Sequence, residues 1–261
     1  MLKIGFIGCG NMGGALAAAA AKCVDAEIRL YDKDEDKARG LAERIGATVC
    51  GIDGVCASHL VFLGVKPNVI ASVAGEIKDK LTVSGATVVS MAAGVSLERL
   101  ASVLGEIPII RIMPNTPAEV GRGMILYTAN TRGSGSIPVF LRAMEAAGRL
   151  DAIEERLIDA ASAISGCGPA FVYMFIEAMA DGGVMSGLPR DKAMLYAAET
   201  LIGAAEVVKQ TGRHPGALKD AVCSPGGSTI EGVKALEDGK MRGTVSGAVV
   251  AAYEKTLKLG K

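Results

Sequence analysis

Two glycine-rich turns at opposite ends of the chain have the composition of anion cradles. The first, Gly8-Cys9-Gly10-Asn11-Met12-Gly13, is a G-x-G-x-x-G run between an apolar stretch, IGFIG, and an alanine-rich helical one. In that pattern the first glycine permits a tight turn, the second lets the backbone approach a pyrophosphate, and the third lets helix pack close to strand. The chemistry it predicts is dinucleotide binding at a helix start. The second, Ser224-Pro225-Gly226-Gly227-Ser228-Thr229, leads directly into another helical pattern. Gly226 and Gly227 can expose successive N–H groups, and Ser228 or Thr229 is expected to cap a helix beginning near Ile230. A carboxylate on a small substrate fits this cradle; a plain capped turn is the alternative.

Further candidates lie between the two. Asp32 ends a second apolar run, EIRLYD, where an acid accepts from ribose hydroxyls and repels a 2′-phosphate. That favours NAD over NADP, while Lys33, Lys37 and Arg39 pull the other way. Gly64-Val65-Lys66-Pro67, Met91-Ala92-Ala93-Gly94 and Met113-Pro114-Asn115-Thr116-Pro117 follow strand-like runs, at the strand ends where open α/β sheets bind ligands. Their small residues leave room for ribose and nicotinamide. Oxidation of an alcohol needs a base. Of the two histidines, His59 opens an apolar strand and His214 precedes Pro215 in a turn, so both read as structural. The helix PAFVYMFIEAMADGG carries no lysine, which disfavours a hydroxy-acid dehydrogenase. An imine needs no such base: its protonated C=N accepts a hydride at carbon and becomes an amine. A non-catalytic dinucleotide-binding protein is the other alternative, and it would leave the second cradle without a purpose.

These residues need a scaffold. IGFIG, EIRLYD, HLVFLGV, ATVVSMA, PIIRIM and GMILYT are strand-length apolar runs separated by helical patterns such as EDKARGLAERIG, so the first part reads as a mostly parallel sheet. Strand signals end near 151–153, and from Glu155 onward the pattern is helical. The expected division is a Rossmann-like α/β domain over 1–154 and an all-α domain over 155–261. The helices between Gly166 and Val208 are apolar or small nearly all round and carry few charges, so they need burial on several sides. A second copy of the chain is the expected cover.

Composition bounds the partners. Lys plus Arg and Asp plus Glu are both 28, and there is no basic run to attract nucleic acid or anionic membranes. The glycine-broken start does not read as a signal peptide. Six cysteines without CxxC or zinc spacing read as reduced cytoplasmic thiols, with no metal site.

GFIGCGNM (5–12), VKP (65–67), MPNTP (113–117), SGCGPA (165–170), EAMADGGVMSGLPR (177–190), HPGALKD (214–220) and SPGGSTI (224–230) together resemble the pyrroline-5-carboxylate reductase family over essentially the whole chain. The resemblance implies a Rossmann domain followed by an all-α dimerisation domain. It implies a homodimer, with larger assemblies left open, and NADPH or NADH reducing pyrroline-5-carboxylate to L-proline. The implied cofactor positions are Ile7, Gly8, Cys9, Gly10, Asn11, Met12, Gly64, Val65, Lys66, Pro67, Met91, Ala92 and Ala93, and Asp32 joins them from its place at the end of the second strand. The implied substrate positions are Glu155, Ser224, Gly226, Gly227, Ser228 and Thr229, with Thr229 as partner of the ring nitrogen. Ala221 stands where some members have an asparagine near the substrate, and Cys167 where a serine is usual.

Overall fold

The computed structural model describes residues 1–259. The first part alternates strand and helix. In order it runs β1 (Leu2–Ile7), α1 (Asn11–Ala20), β2 (Ala26–Tyr31), α2 (Glu35–Ile45), β3 (Thr48–Val49), α3 (Ile52–Cys56), β4 (Leu60–Leu63), α4 (Ile70–Ser84) and β5 (Thr87–Ser90). It continues through α5 (Leu97–Leu104), β6 (Ile109–Met113), β7 (Gly123–Ala129), α6 (Ile137–Met144) and β8 (Gly148–Ala152). The eight strands form one sheet in the order β3-β2-β1-β4-β5-β6-β7-β8. Every neighbouring pair is parallel except β6 and β7. The order reverses between β1 and β4, the switch point at which such sheets open a crevice beyond their strand ends.

The central strands β4, β5 and β6 are buried at every position because both faces are covered, while β2 and β8 nearer the edges keep Glu27, Arg29, Arg149 and Asp151. Leu60 and Phe62 enter one core with Ile4, Phe6, Leu30 and Phe140. Val61 and Leu63 point the opposite way, into a core with Ile77, Leu81, Val88 and Leu100. Phe6 and Phe62 stack with ring centroids 4.6 Å apart. Helix ends follow their local chemistry. Asp34 caps α2 by accepting from the Lys37 N–H, and Gly46 ends it in the left-handed region at φ 69°. Ser96 caps α5 by accepting from the Arg99 N–H.

The helical part comprises α7 (Glu155–Ser165), α8 (Gly168–Met185), α9 (Arg190–Thr211), α10 (Pro215–Val222), α11 (Ser228–Asp238) and α12 (Met241–Leu259). Two compact units result. One is Met1–Cys167 with the end of α12 from Ala251; the other is Gly168–Val250. Helix α7 therefore packs with the sheet, although strand signals end before it. The helical unit buries little of its own apolar surface: Ala180, Ala193 and Ala197 are buried, while Tyr173, Met174, Met185, Leu195, Tyr196 and Ile202 are each more than half exposed. The run Glu155–Met185 is long and apolar enough to cross a membrane by length and composition alone.

Candidate functional site

The first cradle forms where the sequence places it. Gly8 sits at φ 98°, a conformation L-residues rarely adopt, and a Cβ there would lie 2.5 Å from the Gly64 carbonyl oxygen. A Cβ on Gly13 would lie 2.1 Å from the Gly8 oxygen, so α1 reaches the β1 end only because this residue is glycine. A Cβ on Gly10 would meet nothing within 4 Å, so the turn is open on that side to an approaching group. Helix α1 starts after Gly10 without a side-chain cap. Its first N–H groups and the positive end of its dipole are thus available to an anion, and the arrangement fits a dinucleotide pyrophosphate. A groove of about 980 Å³ runs from Cys9, Gly10 and Asn11 between α1 and α2; Glu119 of the connection after β6 lines it, and the loops after β4 and β5 do not.

Asp32 is tied into this turn. Its Oδ2 accepts from the Cys9 N–H at 2.7 Å and its Oδ1 from the Asp34 N–H at 2.9 Å. The Cys9 N–H is therefore used within the protein, and Asp32 offers a ligand only its remaining lone pairs. Burial first, and the Asp32 charge second, push the Cys9 thiol up to about 11 from its ordinary 9.0. It stays protonated and is no nucleophile. Of the nearby cations, Lys37 pairs with Asp34, and Arg39 with Glu35 and Asp36. Among the described residues Lys33 alone of the three has no carboxylate partner.

The other loops leave strand ends next to the turn. Gly64 donates to the Ile7 carbonyl at 2.8 Å, and its lack of a Cβ lets it lie against Gly8 and Gly13. Lys66 is exposed and precedes a short 3-10 turn, Pro67–Val69. After β5, Met91, Ala92 and Ala93 lead to Gly94 at φ 74°. After β6, Asn115 is buried and works as a strut: its Nδ2 donates to the Ser165 carbonyl and its Oδ1 accepts from the Met124 N–H, both at 2.8 Å. Both histidines are structural: His59 Nδ1 accepts from the Lys3 N–H, and His214 Nδ1 from the Gly216 N–H.

Glu155 is placed in a brace. The Arg111 side chain, 3% exposed in the middle of β6, donates from Nη1 to Glu155 Oε1 at 3.1 Å and from Nη2 to Asp159 Oδ1 at 2.6 Å. Glu155 Oε1 also accepts from the Leu97 N–H at 2.6 Å. Sequence reading assigned no role to Arg111 or Asp159. The signal was present: an arginine inside PIIRIM is a charge in a buried strand, which needs partners, and Glu155 and Asp159 stand one helical turn apart.

The second cradle lies in the helical unit and differs from expectation in register. Helix α11 starts at Ser228, not near Ile230, and Gly227 is its N-cap, with no side-chain cap bond. The reason is backbone geometry: Gly226 turns at φ 67° and Gly227 is extended, so the helix begins directly after them. Ser228 and Thr229 are then the first two helical residues rather than caps. Their hydroxyls remain exposed beside the uncapped N–H groups, and Ser224, whose carbonyl accepts from the Gly227 N–H at 3.0 Å, closes the turn.

Comparison with known proteins gives a consistent result. The family model for pyrroline-5-carboxylate reductase dimerisation matches residues 155–259, and that for NADP oxidoreductase, coenzyme F420-dependent, matches residues 3–94. The chain is 42% identical to pyrroline-5-carboxylate reductase of Escherichia coli (strain K12), over 99% of this chain and 98% of that protein. It is 42% identical to pyrroline-5-carboxylate reductase of Glycine max, over 98% of this chain and 95% of that one. Among solved structures, Plasmodium falciparum pyrroline carboxylate reductase with NADP bound superposes with a TM-score of 0.90 at 32% identity, covering 100% of both chains.

Proposed function

The chain belongs to the pyrroline-5-carboxylate reductase family, and on that premise we propose which of its residues perform the reaction. The enzyme is an NAD(P)H-dependent oxidoreductase that reduces Δ1-pyrroline-5-carboxylate to L-proline. The dinucleotide, when bound, supplies the hydride. The turn Ile7–Met12 holds its pyrophosphate; Asp32 faces the ribose and favours NADH; Gly64–Pro67 and Met91–Ala93 wall the ribose and nicotinamide. The N–H groups at the start of α11, with Ser224, Gly226, Gly227 and Ser228, hold the substrate carboxylate. The Thr229 hydroxyl orients the ring nitrogen, which retains its proton as the adjacent carbon gains the hydride. With substrate and reductant both oriented, little further acid–base chemistry is required of the protein.

What supports the assignment above all is the second glycine-rich turn at an uncapped helix start, Ser224–Gly227 before α11, because a dinucleotide alone has no use for it. The functional division is 1–154 for the dinucleotide and 155–261 for substrate and dimerisation. The subunits pair as a homodimer through the helical domain, and the exposed apolar faces of α8 and α9 suit a protein partner better than a bilayer. The balanced charge suits neither nucleic acid nor anionic lipid. The six free cysteines fit a reducing, cytoplasmic compartment. The test is oxidation of NADH and NADPH with pyrroline-5-carboxylate against a panel of hydroxy- and keto-acids. Turnover confined to the ring imine is expected; turnover of a hydroxy-acid in its place overturns the assignment.

A further inference from the structure

We propose that Arg111 and Glu155 are positioning residues that hold the Met91–Ser96 loop in place, so that Glu155 acts on the reaction through the cofactor wall. The inference rests on the reading of that loop as the nicotinamide wall.

Ala92 and Val95 sink into the core beneath the loop, while Ala93 and Gly94 between them are only partly buried. Ala92, Ala93 and Gly94 offer no long side chains. Its backbone bonds are long: Met91 N–H to the Leu63 carbonyl at 3.4 Å, Ala92 N–H to Ser90 Oγ at 3.4 Å, and Val95 N–H to the Ala92 carbonyl at 3.3 Å. Its far end is gripped more tightly. Leu97 is the first residue of α5, and its N–H, which has no intrahelical acceptor, donates to Glu155 Oε1 at 2.6 Å. A carboxylate there also meets the positive end of the helix dipole. The same oxygen accepts from Arg111, whose own strand position beside Ser90 sets it directly across from the root of the loop. Asp159, one turn along α7, takes the other arm of the guanidinium. One carboxylate thus joins β6, α5 and α7, and it fixes the far end of a loop otherwise held by β5 and by the burial of Ala92 and Val95. Losing the junction lets the loop sample other positions, and a ligand must then pay to order it, which weakens binding.

The discriminating pair is Leu97→Pro against Leu97→Ala. Proline suits the first position of a helix, and the extended Ser96 before it, at φ −73° and ψ 161°, is the conformation a pre-proline residue adopts. Leu97→Pro deletes the N–H that Glu155 accepts; Leu97→Ala keeps it and serves as baseline for the lost packing. Fluorescence titration with NADH and NADPH should give affinity roughly tenfold weaker for Leu97→Pro than for Leu97→Ala. The imine KM should differ less than twofold between them, and amide exchange over Met91–Ser96 should be faster in the proline variant. If Leu97→Pro does not fold, Glu155→Gln, which retains an acceptor oxygen, should bind dinucleotide more tightly than Glu155→Ala. Equal dinucleotide affinity and exchange within the pair overturns the proposal. So does a Glu155→Ala variant altered only in imine KM, which makes Glu155 a direct substrate contact. Failure of the functional assignment looks different: the wild-type enzyme itself would not reduce the imine, while the exchange comparison would still report on the brace.

Discussion

Replacing Asp32 separates two effects that the structure combines in one side chain. Its oxygens hold the Cys9 and Asp34 N–H groups at 2.7 and 2.9 Å, and its charge stands at the end of β2. Serine is too short to reach the Cys9 N–H, and it holds the Asp34 N–H, two residues on, only weakly. Each charge-assisted bond is worth about 1.5–3 kcal/mol when buried, and the lower half of that range applies because Asp32 is partly exposed. This loss loosens the turn for both cofactors alike, so it cancels in their ratio. The charge does not cancel. A unit pair at about 4 Å interacts by about 1 kcal/mol in water and about 4 at a protein surface. Taking about 1–2 kcal/mol for a partly exposed acid against a 2′-phosphate, removal of the charge should raise the NADPH-to-NADH ratio of kcat/KM roughly five- to thirtyfold. Asp32→Asn keeps one acceptor oxygen and is also neutral. It should move the ratio as far as Asp32→Ser while losing less absolute activity. The assay is initial-rate kinetics with each dinucleotide varied at saturating imine. A wild-type enzyme that strongly prefers NADPH, or a ratio unmoved in both variants, would refute the reasoning and hand the choice to Lys33.

Three further outcomes are expected. Thr229→Ala should lower kcat/KM for the imine roughly ten- to a hundredfold through loss of one hydrogen bond to a charged group. Thr229→Ser should retain much of the activity, and because Thr229 is exposed the melting temperature and dinucleotide affinity should hardly move. Tyr173→Glu combined with Met174→Glu places charges on the exposed apolar face of α8 and should shift the sedimentation coefficient from dimer towards monomer; an unaltered dimer would put the interface elsewhere. Burial pushes the Cys9 and Cys56 thiols up to about 11 from 9.0. Raised folded values mean the native state holds these protons more tightly, so the stabilisation is complete below pH 9 and is lost as pH rises towards 11. Denaturant midpoints measured across that window should fall, and a Cys9→Ala, Cys56→Ala double variant should fall less.

Local rules were enough for the first cradle and for much of the fold. Gly8 turns at positive φ, Gly13 lets α1 close on β1, and Gly46 stops α2 within a single turn, so sequence spacing alone located them; the caps Asp34 and Ser96 act as locally but were not read from it. The two-residue β3 was too short to leave a periodic signal, and the start of α11 was misplaced because the φ of Gly226 is a backbone choice that residue types permit without imposing. The unpartnered apolar faces of the helical half were legible as well, since a helix apolar all round states its need for cover whatever covers it. The Arg111–Glu155–Asp159 brace was decided only by tertiary structure. Its members are 44 and 48 residues apart, and which carboxylate a buried guanidinium finds depends on how β6, α5 and α7 meet. Asp32 shows the same division within one residue: the end of β2 marked it as a ligand of the ribose, but only the folded turn showed that both of its oxygens already hold backbone N–H groups.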